Sequence, residues 1–268
     1  MDPVDQTRHK ETKMKIVVAL RLVPDLSEDI EFNEEGTGLD TEWIDIKLNE
    51  FDDYALEEAI LLGEANEAEV IALTPDVDGA DRLLRTALAR GAHKGIKLSV
   101  GPESKMDARV LAPLFASAAK DLGADLVLTG VQSPDDLFGP LTGYLGASLD
   151  WPFAGAIAGT RIGNGAIVAL QEYNGGHSAE LELQLPAVLG IQAPSKPMRY
   201  VSGTKMREMM SAQFVSITAS SQPGKTSADI EEMSVPSHQG QTKMLSGDGE
   251  AVATAIAKIL KDRGLTAS

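Results

Sequence analysis

The stretch Gly130-Val131-Gln132-Ser133-Pro134-Asp135-Asp136-Leu137-Phe138-Gly139-Pro140-Leu141-Thr142-Gly143 has the residue types of an anion-binding loop. It follows an apolar run and opens a helical pattern. N–H groups at a helix start lack acceptors within the helix, and the helix dipole adds positive potential there, so an anion such as phosphate is favoured. Gln132, Ser133 and Thr142 can add side-chain hydrogen bonds. A plainer reading makes Asp135 and Asp136 caps of the helix and the glycines turn residues. The loop lacks the Gly-Lys-Ser/Thr ending of a P-loop, and it is not a three-glycine dinucleotide fingerprint. Gly36-Thr37-Gly38 and Gly163-Asn164-Gly165 each lack the third glycine, and neither stands between a strand and a helix.

A second candidate is Asn49-Glu50-Phe51-Asp52. Asn49 is either the N-cap of a helix or a group that reads a nucleotide. Asp52 and Asp53 suit a helix's first turn better than a catalytic pair. Phe51 suits the core, but its place also allows contact with a flat cofactor. His177 reads as solvated. No Ser-His-Asp order, nucleophile elbow or catalytic carboxylate pair can be assembled, which favours a nucleotide-binding or carrier protein over a self-sufficient enzyme.

Composition narrows the classes further. The 268 residues carry 24 basic and 40 acidic side chains, a net charge of −16. That excess opposes binding to nucleic acid or to an anionic membrane, which both need Lys and Arg. There is no cysteine, which excludes disulfides, iron–sulfur clusters and thiol nucleophiles. The four histidines form no metal-binding pair. No run approaches the ~18 apolar residues of a membrane helix. A soluble, cytoplasmic protein is expected.

The elements that position these residues follow from hydropathy. Residues 1–13 read as a flexible leader. Lys15 to Leu20 is a short β-branched run, the pattern of a strand buried on both faces. From Asn49, apolar residues at 51, 55, 56, 59, 60 and 62 follow helical spacing. Strands are then expected at 69–74, 95–100 and 125–129. Helices alternate with them at 79–89, from Ser104 (with Asp107 in a capping box) to about 122, and on to about 149. Such alternation predicts right-handed βαβ units and a Rossmann-like open, mostly parallel sheet with helices on both faces. Ala166–Tyr173 and Ala179–Leu185 flank Asn174-Gly175-Gly176, a hairpin signal, and Pro186–Ile191 is a further apolar strand. Antiparallel strands are thus expected beside the parallel ones. Beyond Pro194 the chain turns irregular, with an extended arm over 216–249 and an amphipathic helix over 251–260. The expected organisation is a leader (1–13), an adenine-nucleotide-binding α/β domain (14–193), and a C-terminal part (194–268). In an open parallel sheet, ligands bind beyond the carboxyl ends of the strands, where residues 20–24, 47–51, 74–79 and 130–139 converge.

Several segments, in this order and spacing, resemble the β subunit of electron transfer flavoprotein. They are Lys15-Ile16-Val17-Val18-Ala19 with Val23-Pro24-Asp25; Asn49-Glu50-Phe51 with Ala55-Leu56-Glu57-Glu58-Ala59; Leu84-Arg85-Thr86-Ala87-Leu88-Ala89; Gly130-Val131-Gln132 through Asp135-Asp136 to Leu149-Asp150-Trp151-Pro152; Leu185-Pro186-Ala187-Val188; and Arg199-Tyr200. The resemblance implies a heterodimer with an α subunit carrying a redox-active FAD. That heterodimer takes electrons from flavin dehydrogenases, such as those of acyl-CoA or methylated amines, and passes them to a quinone reductase or another acceptor. It implies an AMP site formed by Ala19, Asn49, Glu50, Phe51, Asp52, Pro75, Gly130, Val131, Gln132, Ser133, Asp135, Asp136, Gly139 and Thr142, with Phe51 near the α-subunit flavin. After Arg199-Tyr200 it implies a partner-recognition loop anchored by a Leu. That Leu is missing here, and Met206, Met209 or Met210 stands in its place as a flexible anchor. Leu26 replaces a second family aromatic, and only Thr142-Gly143 survives of the usual Asn-Gln-Thr-Gly run. Two alternatives are a bifurcating flavoprotein subunit with a second FAD in the AMP site, disfavoured by Leu137 after Asp136, and a stand-alone adenine-nucleotide domain.

Overall fold

The computed structural model describes residues 13–27, 30–40, 44–101, 107–134, 136, 141–224, 230–235, 242 and 244–265. The expected leader, apart from Lys13, lies outside the described residues, as do Ser104, Asp135 and Gly139. The chain forms two units, Met1–Glu232 and Met233–Ser268.

The first unit is built on a nine-stranded sheet. Its strands are β1 (Lys15–Ala19), β4 (Glu69–Pro75), β5 (Lys94–Ser99), β6 (Leu126–Gly130), β7 (Phe153–Gly163), β8 (Ala166–Glu172), β9 (Ser178–Gln184), β10 (Ala187–Ile191) and β11 (Ser216–Thr218). A two-stranded ribbon pairs β2 (Leu22–Pro24) with β3 (Ile46–Leu48). The helices are α1 (Glu50–Asn66), α2 (Ala80–Arg90), α3 (Ala108–Leu122), α4 (Leu141–Leu149) and α5 (Gly203–Met209). The sheet order is β11-β5-β4-β1-β6-β10-β7-β8-β9. Every neighbouring pair is parallel except β7–β8 and β8–β9.

Alternation along β1 explains the layers. Ile16 and Val18 enter one core with Leu56 and Ile60 of α1 and Leu84 of α2, whereas Val17 and Ala19 enter the other with Leu111 and Phe115 of α3 and Leu145 of α4. A strand covered on both faces has no polar side to present, which accounts for its uninterrupted apolar run. From β1 the chain steps outward through β4 and β5, then returns to place β6 on β1's other side. The boundary between β1 and β6 is therefore the topological switch, the place where an open α/β sheet offers a ligand its site.

The structure departs from the sequence pattern at several points. The Gly/Ala-rich stretch after Trp151-Pro152, to which the hydropathy pattern assigns no element, is the eleven-residue strand β7. It bends where the register shifts between Ile157 and Gly159, next to Ala156 at φ 55. The Pro186–Ile191 strand is parallel and sits between β6 and β7, so the antiparallel pairs of the nine-stranded sheet are β7–β8 and β8–β9. Residues 163–165, read only as an incomplete nucleotide motif, make the β7–β8 turn, with Asn164 and Gly165 at φ 52 and 75. At the β8–β9 turn the positive φ falls on Gly175 and Gly176. The arm expected from 216 begins as β11, paired with β5 through Ser216, Ile217 and Thr218. α3 is capped by Asp107, whose side chain accepts from Arg109 N and Val110 N, and begins at Ala108. β9 is the outer strand, with Leu181 and Leu183 turned toward the core while Glu180 and Glu182 stand exposed.

In the second unit, α6 (Gly249–Asp262) is capped by Asp248, which accepts from Ala251 N at 2.9 Å. Ile256, Ile259 and Leu260 on this helix are exposed.

Candidate functional site

At the β1–β6 switch, the loop after β1, the start of α1 and the loop after β6 are braced to one another. Arg21 follows the apolar β1 run, and its guanidinium meets Asp52 in the first turn of α1. Nε donates to Oδ2 at 3.0 Å and Nη2 to Oδ1 at 2.9 Å, while the Arg21 backbone N–H donates to Oδ2 at 2.8 Å. Both side chains are buried, 5% and 0% exposed. Asp52 Oδ1 also accepts from Gly130 N at 2.9 Å, at the end of β6. Arg21 Nη1 donates to Ser133 Oγ at 3.0 Å. A fork-on-carboxylate pair of this kind is directional, and its burial makes it costly to break on one side.

Asn49 adds a second tie. It occupies the N-cap position of α1, but its side chain makes no capping bond. Instead Asn49 Nδ2 donates to the Gln132 carbonyl at 2.8 Å, and Asn49 itself is 1% exposed. The expected N-cap role is thus replaced by a tie between α1 and the loop after β6. Asp52 likewise is not a solvated first-turn charge. Asp53 is the outer member of that pair, gripping Arg90 at the end of α2 through both carboxylate oxygens.

The other expected site residues fall as follows. Ala19 is fully buried and registers with Leu73 on β4, and Pro75 is buried at the end of β4. Gly130 and Ser133 are buried, Val131, Asp136 and Phe51 half-buried, and Gln132 and Glu50 exposed. Thr142 is buried at the start of α4, with its hydroxyl 2.8 Å from Thr129 Oγ1. The N–H groups of Val131 and Asp136 are engaged with Ile191 O and Ser133 O, and that of Gly130 with Asp52. The expectation of free N–H groups along this loop is therefore corrected at these three positions. Ser133 and Thr142 hydroxyls, expected to face a ligand, are bonded within the protein. Asp135 and Gly139 lie outside the described residues.

Phe51 packs edge-on against Tyr54, with ring centroids 5.9 Å apart and planes at 84°. The Tyr54 hydroxyl donates to Glu50 Oε1, and that bond holds the phenol above its usual pKa. The ring also lines an open groove with residues 192–198.

Sequence reasoning missed Arg21. The signal was present: a lone Arg just past a buried strand, in a chain with a large acidic excess, needs a carboxylate partner.

A family model described as "Electron transfer flavoprotein domain" matches residues 39–225. The chain is 30% identical to the electron transfer flavoprotein subunit beta of Methylophilus methylotrophus over 261 residues, covering 93% of this chain and 98% of that relative. It is 30% identical to the subunit beta of Homo sapiens over 193 residues, covering 71% and 75%. It is also 30% identical to the mitochondrial subunit beta of Arabidopsis thaliana, covering 89% and 96%. The chain belongs to the electron transfer flavoprotein β-subunit family. The matched region contains α1, β6 and the loops that Asn49 and Asp52 join, but not Arg21, which lies ahead of residue 39. No helix among the described residues is long and apolar enough to cross a membrane.

Proposed function

We propose that this chain is the β subunit of a heterodimer that binds AMP at the β1–β6 crevice and helps hold an FAD borne mainly by an α subunit. The observation that carries this reading is the tie of Asn49 and Asp52 to Gln132 and Gly130. Two loops separated by 83 and 78 residues in sequence are joined at the rim where an open α/β sheet takes its ligand.

The donor set suits an adenylate. The first-turn N–H groups of α4 have no acceptor within the helix and would favour an anion at its start. The buried Thr74 hydroxyl, next to Pro75 at the end of β4, has no hydrogen-bond partner among the described residues. A buried hydroxyl of this kind at a strand end fits an added group better than a closed core. Ala19 and Pro75 would offer main chain to the base, Pro75 through its carbonyl alone. Gln132, with Ser133, Asp135, Asp136 and Gly139 along the same loop, would border the phosphate. Asp52 and Thr142 act by bracing, since their oxygens are already bonded. Phe51, with Glu50 beside it, would face the flavin of the α subunit.

When bound, FAD supplies the electron-accepting ring. This chain's residues shape the wall around it and exclude water. The electrons would come from a flavin dehydrogenase and pass to a quinone reductase or another acceptor. Residues beyond Tyr200, with Met206, Met209 and Met210, would form the docking segment for the donor; Tyr200 is 91% exposed and Met210 62%.

Purification of the heterodimer, followed by extraction and quantification of its ligands, tests the assignment. One flavin plus AMP is the expected content. Two flavins per heterodimer would replace it with the bifurcating reading, and a flavin-free homodimer with the stand-alone nucleotide domain.

A further inference from the structure

Residues 200–212 form a span held at both ends; its helix α5 lies along α2 with Met206 and Met209 half-buried, and none of its residues is fully buried. At the far end, Arg85 Nη2 donates to Ala212 O at 3.5 Å. Just beyond it, the Phe214 ring fills the space over Gly95, where a Cβ would come within 2.8 Å of it. The near end is Arg199, and its anchorage is of a different kind.

Arg199 spans two carboxylates on one face of α1. Nε donates to Glu57 Oε1 at 2.7 Å, and the backbone N–H to Glu57 Oε2 at 3.4 Å. Nη1 and Nη2 donate to the two oxygens of Glu64 at 2.7 and 3.2 Å. Nη1 also reaches the carbonyl of Arg90 at the end of α2, at 3.4 Å. Glu57 and Glu64 are seven residues apart, two helical turns, so one planar guanidinium can bridge them. Next to Glu57, Glu58 turns to another face and holds Ser195, whose N–H and hydroxyl each lie 2.7 Å from its oxygens. Thr160 of β7 donates to the same carboxylate. Two consecutive carboxylates of α1, each 1% exposed, thus fasten residues 195–199 from two directions.

A brace serving the fold alone would close over buried side chains. This one leads into a span that adds none to the core. Its outer half, Glu64, is 59% exposed, and its inner half, Glu57, is 1% exposed. The Arg199 bond also draws the Glu64 pKa down from 4.5, so the outer half is ionised at neutral pH.

We propose that Arg199, gripped by Glu57 and Glu64, is the positioning residue that sets residues 200–212 in the orientation a donor dehydrogenase docks on. This rests on the reading of that segment as the donor's docking surface, and the test separates the two.

The variants are Arg199→Lys, which keeps a charge for Glu57 but cannot fork across both carboxylates, and Glu64→Gln, which loses only the exposed half. A third, the combined Met206→Ser, Met209→Ser and Met210→Ser, alters the span and leaves the brace intact. Each heterodimer is assayed as electron acceptor for an acyl-CoA dehydrogenase and a methylated-amine dehydrogenase, using the one that reduces the unaltered heterodimer faster. Arg199→Lys and Glu64→Gln should each raise the KM for the heterodimer about three- to tenfold, with kcat within about twofold. Flavin spectrum and AMP content should stay unchanged. A raised KM in the methionine variant with no change in Arg199→Lys and Glu64→Gln would overturn the brace and leave the docking surface standing. No KM change in any of the three, or no reduction of the unaltered heterodimer by either donor, would remove the docking surface and the brace with it. Loss of AMP or flavin alongside a KM change would overturn positioning in favour of general loosening. If Arg199→Lys does not assemble, Glu64→Gln decides by the same criteria.

Discussion

Asp52 Oδ1 lies 2.9 Å from Arg21 Nη2 and 2.9 Å from Gly130 N, so one buried oxygen joins the loop after β1, the first turn of α1 and the end of β6. The protein's own charges fix these three elements relative to one another. The pair is neutral as a unit, which leaves the potential at the rim to the α4 helix start and the loop dipoles.

Breaking the pair on one side should be severe. Arg21→Met leaves Asp52 buried without its cation, a loss of about 3–5 kcal/mol. Urea unfolding of the heterodimer should show that loss, together with reduced AMP on extraction. The double variant Arg21→Met with Asp52→Leu should regain most of the stability but not the nucleotide, because Gly130 N then lacks its acceptor. Recovery of both would mean that the pair serves the core alone.

Asn49→Leu removes the tie to the Gln132 carbonyl while keeping an apolar side chain at a buried position. A lost hydrogen bond of this kind costs about 1 kcal/mol. Nucleotide retention should weaken by about five- to tenfold and the yield of heterodimer should fall. AMP content equal to that of the unaltered protein would count against the rim as the site.

Gly130→Ala tests how closely β6 approaches α1. The added methyl would lie 2.4 Å from Asp52 Oδ1 and 2.6 Å from Asp52 N, both in a part of the chain that cannot swing away. Overpacking at such a point costs about 1–3 kcal/mol. The melting temperature should fall and AMP should be lost in parallel. An unchanged melting temperature would place the two elements farther apart.

Acid should release two exposed ties. Asp25 accepts from Lys47 and Ser27, and the Lys47 ammonium holds its pKa down to about 2 from 3.8. Glu64 is held below 4.5 chiefly by Arg199. A carboxylate whose folded pKa is depressed stabilises fully above its unfolded value and loses that contribution as pH falls through its folded value. Both ties are therefore intact at neutral pH. Each weakens as the pH falls below the ordinary carboxylate range, and the Asp25 tie is lost near pH 2. In Lys47→Met, the acid sensitivity of exchange at the β2–β3 amides should largely disappear. An unchanged profile would assign it to another carboxylate.

Much of the architecture is legible in the sequence because burial on both faces leaves a plain mark. The β-branched runs of β1, β4 and β6 and the helical spacing of α1 have few competing interpretations. β7 was hidden because its Gly and Ala residues carry little hydrophobic contrast, and its bend comes from Ala156 and a register shift, which no local pattern announces. The direction of β10 depends on partners 61 residues away in β6. The site was half legible. Its loops could be placed from glycine and polar spacing. The role of Asp52 was obscured because an acidic residue in a helix's first turn looks like a dipole partner, and its true partner stands 31 residues earlier.

The outermost strand sets how far this sheet can grow. β9 ends the row with no strand on its outer side among the described residues, a template that another chain could extend. Glu180 is paired with Arg161, so two copies meeting there edge to edge would add the exposed Glu182 of each to molecules that already carry a net charge of −16. Like charge therefore opposes pairing at this border. Removing that charge would weaken this guard while leaving the β1–β6 boundary, in the middle of the row, untouched.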